Sequence, residues 1–340
     1  MTANLKLLAI DDPRWSAFCR TREAASIFHS PAWTNLLTAT YNLPAQALVL
    51  QDECGALVAG LPFILIHRAF TPLRIVSLPY SDHCAPLTAA PGQEFALVSG
   101  LQALYPGAAL ELRWAYPAFP GGQSHPMYVL HTISLVGGLD AAAARIHAMH
   151  RRNVRAAQQR GIDILIDPTE SGLQAFYRLH WLTRRRQGVP VQPLRFFQNL
   201  VDTFFPAGQG FFLLARQQQN YVAAALFLRW NDTLTYKYGA SDPAFLALRP
   251  NDLIFWEAIR WGCTHGCTSL DLGRTDLDNT GLRDFKSRWG AVESSLSYTY
   301  SPSAPALQPG KLRHALSKLI RSAPPWVCRA IGEALYRYAA

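Results

Sequence analysis

The residues best suited to chemistry in this chain of 340 residues lie between Tyr236 and Gly290. Charged residues make up only 16% of the sequence, yet several gather at or just after the end of one apolar strand, S-L-D-L-G-R-T-D. They are Asp271, Arg274, Asp276, Asp284, Lys286 and Arg288. Strand ends in mixed α/β sheets are where ligands usually bind. We therefore place the candidate site here.

Three of these side chains have a candidate chemical role. Lys286 could hold a phosphate or stabilise the oxyanion of an acyl transfer; the alternative is a surface lysine paired with Asp284. Arg274 can fork to a phosphate or carboxylate of a substrate; the alternative is that it serves strand-end carbonyls or Asp276. Asp271 could take a proton from an attacking amine, or it could cap a loop.

Aromatic and polar residues nearby are candidates for substrate binding. In the strand Y-K-Y, simple alternation places Tyr236 and Tyr238 on one face, where they could line a substrate channel or pack in the core. The other candidates for substrate binding are Arg274, Asp276, Asp242, Asn251, Arg288 and Trp289.

A helix is predicted from about Asp140, as its cap, to Gly161, and it carries arginines with no acid among them. Arg151, Arg152 and Arg155 are therefore candidates for anion binding, since clustered arginines suit phosphate groups. The alternative is a solvated helix face.

The order of elements repeats along the chain. A hairpin, a strand, a helix and a strand are predicted twice, with L-P-Y-S-D at 78–82 beside Y-G-A-S-D at 238–242, and L-E-L-R at 110–113 beside L-D-L-G-R at 270–274. Such repetition favours duplication. We predict a mixed α/β sheet in two domains, 1–137 and 138–301, followed by a basic amphipathic helical tail at 302–340. The tail opens with a linker in S-P-S-A-P-A-L-Q-P-G. The tail could rest on an anionic membrane or pack on its own protein.

Composition and hydropathy indicate which partners and which cellular compartment to expect. The formal charge of +9 favours anionic partners. The N-terminus does not resemble a signal peptide, and no window approaches the roughly 20 apolar residues of a membrane span, so a cytoplasmic location with reduced cysteines is expected. Cys263 and Cys267 could share a helix face, but no second pair of ligands has a metal-like spacing, and no metal is expected.

Common catalytic motifs are absent from the sequence. It contains no G-x-S-x-G, no H-E-x-x-H and no P-loop lysine motif. The loop after Tyr238 also lacks the paired glycines that would hold a coenzyme A pyrophosphate at a helix start. This counts against an ordinary acetyl-CoA enzyme.

Several segments together resemble the Fem-like branch of acyltransferases, which includes the BioF2-like acetyltransferase domain and the peptidoglycan interpeptide-bridge aminoacyltransferases. These segments are R-R-N-V-R-A-A-Q-Q-R-G-I, F-Y-R-L-H, R-R-R-Q-G-V-P, Y-K-Y-G-A-S-D, P-N-D-L-I-F-W-E-A-I, L-D-L-G-R-T and G-L-R-D-F-K-S-R-W-G. The resemblance covers about residues 1–301 and is strongest over 151–300.

The resemblance implies two tandem GNAT-like domains, an aminoacyl-tRNA donor and an amine acceptor on a cell-wall precursor. Lys286 matches a lysine in a late F-K motif that lies at the site in bridge-forming relatives. The chain lacks the long helical-arm insertion that some bridge enzymes use for tRNA, and its tail resembles related proteins from exopolysaccharide and exosortase clusters. Acyl-CoA therefore remains a second donor, and no tightly bound cofactor is expected.

We accordingly predict a cytoplasmic N-acyltransferase that acylates an amine on a cell-envelope precursor, either a peptidoglycan stem peptide or an exopolysaccharide amino sugar. Candidate partners are that precursor, tRNA and the inner face of the membrane. One alternative is an acetyl-CoA-dependent N-acetyltransferase of the same fold. The other is a non-catalytic scaffold of an envelope-polymer assembly complex.

Overall fold

The computed structural model describes residues 4–67, 71–116, 121–302 and 311–336. These described residues divide into two compact units, one within 4–128 and 295–302, the other within 129–294 and 311–336. The chain thus leaves the first unit and returns to it, a path that composition does not reveal. The predicted limits 1–137, 138–301 and 302–340 stay a prediction for functional domains, and the predicted linker lies, from residue 303 on, outside the described residues.

The first unit begins with alternating strands and helices. They are β1 Asn4–Ala9, α1 Pro13–Arg20, α2 Pro31–Tyr41, β2 Ala45–Gln51, β3 Leu57–Ile66, β4 Arg74–Val76, β5 Leu87–Thr88, α3 Gln93–Leu104 and β6 Ala109–Leu112. Helix α2 begins after Ser30 because the Ser30 hydroxyl accepts from the Trp33 amide at 3.2 Å and Pro31 occupies the first turn.

Strand β7, Gln123–Ser134, begins in the first unit and ends in the second. The second unit then contains α4 Gly138–Arg145, α5 Ala148–Gln159, β8 Ile162–Ile166, α6 Glu170–Gln187, α7 Leu194–Phe204, β9 Gly210–Gln217, β10 Asn220–Trp230, β11 Thr233–Ser241, α8 Pro250–Thr264, β12 Ser269–Asp276 and α9 Thr280–Arg288. Strand β13, Val292–Ser301, returns to the first unit, and α10 Lys311–Ser322 and α11 Pro325–Tyr336 complete the second.

Both units carry the repeated order that the sequence predicts. The strand order is β1-β2-β3-β4-β6-β13 in the first unit and β8-β9-β10-β11-β12-β7 in the second. In each, an antiparallel hairpin precedes two strands that pair in parallel around one helix, β4-α3-β6 and β11-α8-β12. The predicted mixed α/β sheet is therefore confirmed.

Apolar side chains of each unit pack between its sheet and its helices. In the first unit Leu97 and Leu101 of α3 are fully buried on the strands. In the second, Ile254 and Ala258, four residues apart on α8, are buried in the core cluster. Each fully buried large apolar side chain stabilises the fold by about 1.5–3 kcal/mol, so these clusters hold the strands that carry the site.

The single helix predicted from Asp140 to Gly161 is wrong. The chain forms α4 and α5 instead, with Ile146 and His147 extended between them. The reason is local: the His147 ring nitrogen accepts from the Met149 amide at 3.2 Å and thereby caps a new helix. Asp140 lies inside the first turn of α4, which follows Gly137 at φ +85°.

The tail packs on the body of the second unit. Ile320, Ala323 and Cys328 are buried together, and Trp181 of α6 packs against them. Of the two alternatives for the tail, the described residues therefore place it on its own protein. Its outer side carries Leu319, 50% exposed, and Trp326, 71% exposed. Among the described residues, no helix combines the length and apolar character needed to cross a membrane.

Candidate functional site

The central feature of the second unit is a wedge between the two parallel strands β11 and β12. Their register runs from Thr233 opposite Ser269 to Thr235 opposite Asp271 and then stops. Both strands continue, to Ser241 and to Asp276. Past Thr235 the two strands are no longer paired with each other, and the opening between them is the wedge.

A β-bulge at Lys237 shapes one wall of this wedge. Leu226 of β10 is opposite Tyr238, whereas the next residue, Phe227, is opposite Tyr236, so Lys237 is the extra residue. Because consecutive residues of β10 point to opposite faces, the two tyrosines do as well. The prediction that they share one face is wrong.

Ring contacts confirm the separation of the two tyrosines. Tyr236 lies 5.1 Å from the ring of Phe255 on α8, and burial raises its pKa to about 12. Tyr238 lies 5.5 Å from the ring of His180 on α6 and 5.4 Å from Phe197 on α7. Strand β11 thus packs an aromatic side chain against the helices on each side of the sheet.

Lys286, which lies on α9, is buried, with 3% of its surface exposed. Its Nζ donates to the carbonyls of Leu272 at 2.8 Å and Gly273 at 2.9 Å and to Thr275 Oγ1 at 2.8 Å, with the Arg274 carbonyl at 3.4 Å. Gly273 has φ +68°, and this left-handed residue allows the kink at which those carbonyls converge on the lysine.

Asp284, the acid that the sequence offers as a partner for Lys286, does not pair with it. Asp284 pairs instead with Arg288 at 2.6 Å, so the surface-lysine alternative is wrong. The ammonium of Lys286 also affects a buried histidine, His131 on β7. Burial is the larger cause that lowers the pKa of His131, and the positive charge of Lys286 is the second.

Asp271 lies at the apex of the wedge, opposite Thr235. Its Oδ1 accepts from the Gly273 amide at 2.7 Å, and the residue is 9% exposed. The carboxylate therefore supports the kink of β12, as the loop-capping alternative expects, while it stands where the strands part. Arg274 is half-buried on the same strand, and Asp276 is exposed at its end.

The other predicted substrate-binding residues are dispersed over the second unit. Asp242 caps the short turn after β11, accepting from the Ala244 amide at 3.0 Å. Asn251 is half-buried in the first turn of α8, and Arg288 is exposed at the end of α9. Trp289 is fully buried and stacks on His150, with ring centroids 4.7 Å apart.

A buried histidine–aspartate pair was not predicted. His150 Nδ1 of α5 lies 2.5 Å from Asp252 Oδ1 of α8, and Asn153 Nδ2 donates to the same oxygen at 3.3 Å. A clue existed in P-N-D-L-I-F, where an acid precedes a wholly apolar run and so enters the core, where acids need a partner.

Two of the three candidate anion-binding arginines share a pocket of about 350 Å³ in the second unit. It is lined by Ala143, Ile146, Arg151, Val154, Arg155, Gln158, Trp256 and Trp289. Arg152 does not line it. The spacing 151, 155 and 158 marks one helix face, and this signal would have added Gln158 and excluded Arg152.

Comparisons with known proteins agree with this architecture. Residues 144–287 match the family model of the acetyltransferase (GNAT) domain. A lipid II:glycine glycyltransferase from Staphylococcus saprophyticus is 24% identical over a match that covers 48% of this chain and 57% of that protein. The chain thus spans little more than half the length of this relative.

Solved structures share the fold over most of the chain. FemX superimposes with a TM-score of 0.70 at 16% identity, covering 93% of this chain and 100% of FemX. A tandem GNAT protein from the clavulanic acid biosynthesis pathway gives 0.52 at 10% identity, covering 89% of this chain and 100% of that one. Residues 144–287, which include the wedge, therefore match a GNAT domain, and the chain has the fold of FemX and of this tandem GNAT protein.

Proposed function

We propose that the protein is an N-acyltransferase that modifies an amine on a cell-envelope precursor. The observation that carries this proposal is the wedge between β11 and β12, with the bulge at Lys237, inside the residues that match the GNAT model. An opening between two strands can bind an extended acyl chain through main-chain hydrogen bonds on both sides. Its peptide N–H groups can polarise an acyl carbonyl.

The proposed reaction joins the acceptor amine to the acyl carbonyl carbon. A C–N bond forms, the bond from that carbon to the ribose oxygen of a tRNA or to the sulfur of coenzyme A breaks, and the proton lost by the amine ends on the departing oxygen or sulfur. Asp271 is the carboxylate at the apex of the wedge and is our candidate for accepting that proton. Lys286 holds the backbone of β12 in place.

The acceptor is proposed from the relatives and from charge. The glycyltransferase that matches this chain acts, by its name, on lipid II. The net charge of +9 favours an anionic acceptor such as a diphosphate-linked precursor. We extend the proposal to peptidoglycan or exopolysaccharide precursors, a cytoplasmic site of action and peripheral contact with the membrane.

The donor is aminoacyl-tRNA in the first form of this proposal and acyl-CoA in the second. The glycyltransferase relative supports the first, and the acetyltransferase description of the matching domain supports the second. Both donors present an activated acyl group at the end of a long anionic carrier, so the same wedge serves either one.

The test supplies the purified full chain with a charged tRNA pool or with acetyl-CoA, together with an envelope-precursor extract. Products are identified by mass spectrometry. An amino-acid increment abolished by RNase supports the first donor, and an acetyl increment that resists RNase supports the second. Absence of product from both donors would contradict an acyltransferase and favour the scaffold alternative.

A further inference from the structure

The pocket beside α5 has a polar rim and an apolar floor. Arg151, Arg155 and Gln158 project from one face of α5, and Val154, Trp256 and Trp289 supply apolar walls. Its volume of about 350 Å³ lies in the range of small-ligand sites. No acidic residue lines it. The pocket therefore suits a ligand that has an anionic group and a flat apolar part.

The arginines of this rim have no acid partner within the described ranges. Arg151 donates to the Ala143 carbonyl at 3.2 Å, and neither it nor Arg155 forms an ion pair with a described carboxylate. Arg155 is exposed along the rim. A guanidinium fork offers paired donors that match a phosphate, so both cations are open to an anion.

The floor contains a second, independent sign of a missing partner. Trp289 is 0% exposed, yet its indole Nε1 has no hydrogen-bond acceptor among the residues that the structure describes. A buried N–H without an acceptor is costly. An acceptor atom of a bound ligand would remove that cost. Trp256, half-buried on the other wall, offers a ring surface for stacking.

We propose that this pocket binds the adenine nucleotide with which both candidate donors end. Aminoacyl-tRNA carries its amino acid on a 3′-terminal adenosine, and coenzyme A ends in a phosphorylated adenosine. The arginines would bind the phosphate, Trp256 would stack on the base, and Gln158 and the Trp289 N–H would contact polar atoms of the nucleotide. This assignment rests on the proposed function, which supplies the two donors.

Helix α8 links the pocket with the wedge. Phe255 faces Tyr236 of β11 at 5.1 Å between ring centroids, and the next residue, Trp256, lines the pocket. A donor with its nucleotide against Trp256 and its acyl end between the strands would follow this one helix. The pocket thus deepens the wedge proposal by giving the carrier end of the donor a site of its own.

The experiment is calorimetric titration of the full chain with defined nucleotides. Adenosine 5′-monophosphate represents the tRNA terminus, adenosine 3′,5′-bisphosphate represents coenzyme A, and uridine 5′-monophosphate and inorganic phosphate are controls. We expect one adenine nucleotide to bind at least tenfold more tightly than both controls, and the tighter one identifies the donor class. Equal binding of uridine monophosphate or phosphate, or no binding at all, would overturn the proposal.

Matched variants locate the binding site. Arg155→Gln and Trp256→Leu should each weaken nucleotide binding about tenfold or more, as expected for loss of a charge-assisted contact or a stacking surface. Arg186→Gln removes one exposed charge from α6, away from the pocket lining, and should leave binding unchanged. Thermal melting checks that each variant folds. Wild-type affinity in both Arg155→Gln and Trp256→Leu would refute the assignment.

Activity separates the two proposals. If wild-type protein consumes a donor and Arg155→Gln does so with the same KM, the function stands and the nucleotide pocket fails. If adenine nucleotide binds and neither donor is consumed, the pocket stands and the acyltransferase proposal fails.

Discussion

Lys286 ends inside the second unit, where three carbonyls and one hydroxyl surround its ammonium. An ammonium has three protons to donate, so these acceptors use its full capacity. We infer that Lys286 is a positioning residue that stabilises the kink of β12. Asp271 supports the same kink by accepting a hydrogen bond from the Gly273 amide. A lysine in this setting contributes to the site through the backbone that it holds.

Replacing Lys286 with methionine tests this role. Lys286→Met keeps the apolar stem and leaves buried carbonyls without their donor, so we expect the free energy of unfolding to fall by about 2–4 kcal/mol. Urea denaturation measures this loss. Lys318→Met, at an exposed site on α10, is the control and should change stability by less than about 0.5 kcal/mol. An inactive Lys286→Met variant of wild-type stability would restore a catalytic role.

For Asp271 we predict a loss of turnover and not of stability. Asp271→Asn keeps an oxygen that can accept from the Gly273 amide while it removes the charge. If the carboxylate takes the proton of the amine, kcat should fall by about 10²–10⁴-fold with little change in melting temperature. The donor assay measures kcat, and Asp278→Asn, exposed in the turn after β12, should retain it. Unchanged turnover in Asp271→Asn would remove the proposed base.

At the scale of elements, the bulge at Lys237 decides what β11 presents to each side. Strict alternation predicts one aromatic face, and nothing in Y-K-Y-G marks an extra residue. The bulge is visible only in the register, where Leu226 and Phe227 meet Tyr238 and Tyr236. Features of the site that depend on pairing between strands therefore cannot be predicted from the residue pattern of one strand.

Elements with strong local signals were predictable. Helix α6 runs from Glu170 to Gln187 because its apolar residues recur at helical spacing and Gly188 ends it in the left-handed conformation, both of which are local signals. The wedge, the Asp252–His150 pair and the arginine pocket all join residues that are distant in sequence. Their positions follow from packing, which spacing along one helix or strand does not encode.

The docking of the tail depends on one close approach. A Cβ atom at Gly332 of α11 would lie 2.0 Å from the Val191 carbonyl oxygen, so Gly332→Ala should displace α11 from the body. We expect faster proteolysis after residue 302 and a lower melting temperature.

The matched control is Gly281→Ala in α9. A Cβ atom there meets nothing within 4 Å, so alanine should be neutral or stabilise by up to about 1 kcal/mol through helix propensity. Equal protease resistance of Gly332→Ala and wild type would show that α11 tolerates the displacement and that this contact does not hold the tail.

At the scale of the whole molecule, a net charge of +9 and an exposed aromatic tail favour an anionic surface. The inner side of α10 and α11 is occupied by α6, and only the outer side, with Leu319 and Trp326, is available to a membrane. Removal of the whole tail would uncover Trp181 and the buried cluster around it. Single exposed residues are therefore the better probes of membrane contact.

Trp326→Ser should weaken binding to vesicles of phosphatidylglycerol by roughly three- to tenfold, because an interfacial tryptophan adds apolar burial to charge attraction. Cosedimentation measures this binding, with phosphatidylcholine vesicles to isolate the charge effect. Val136→Ser, 65% exposed between β7 and α4, is the matched control. Equal binding of both variants and wild type, or no binding by any of them, would contradict a membrane-facing tail.

The seclusion of Lys286 gives the protein a natural reporter. The chain has only five lysines, at positions 6, 237, 286, 311 and 318. An amine-directed acylating reagent reaches exposed amines quickly, whereas Lys286 is 3% exposed and hydrogen-bonded. Its labelling rate, followed by peptide mass spectrometry, would therefore measure how often α9 lifts from β12 in the native protein. Slower labelling with a bound donor would reveal ligand-induced closure without any engineered probe.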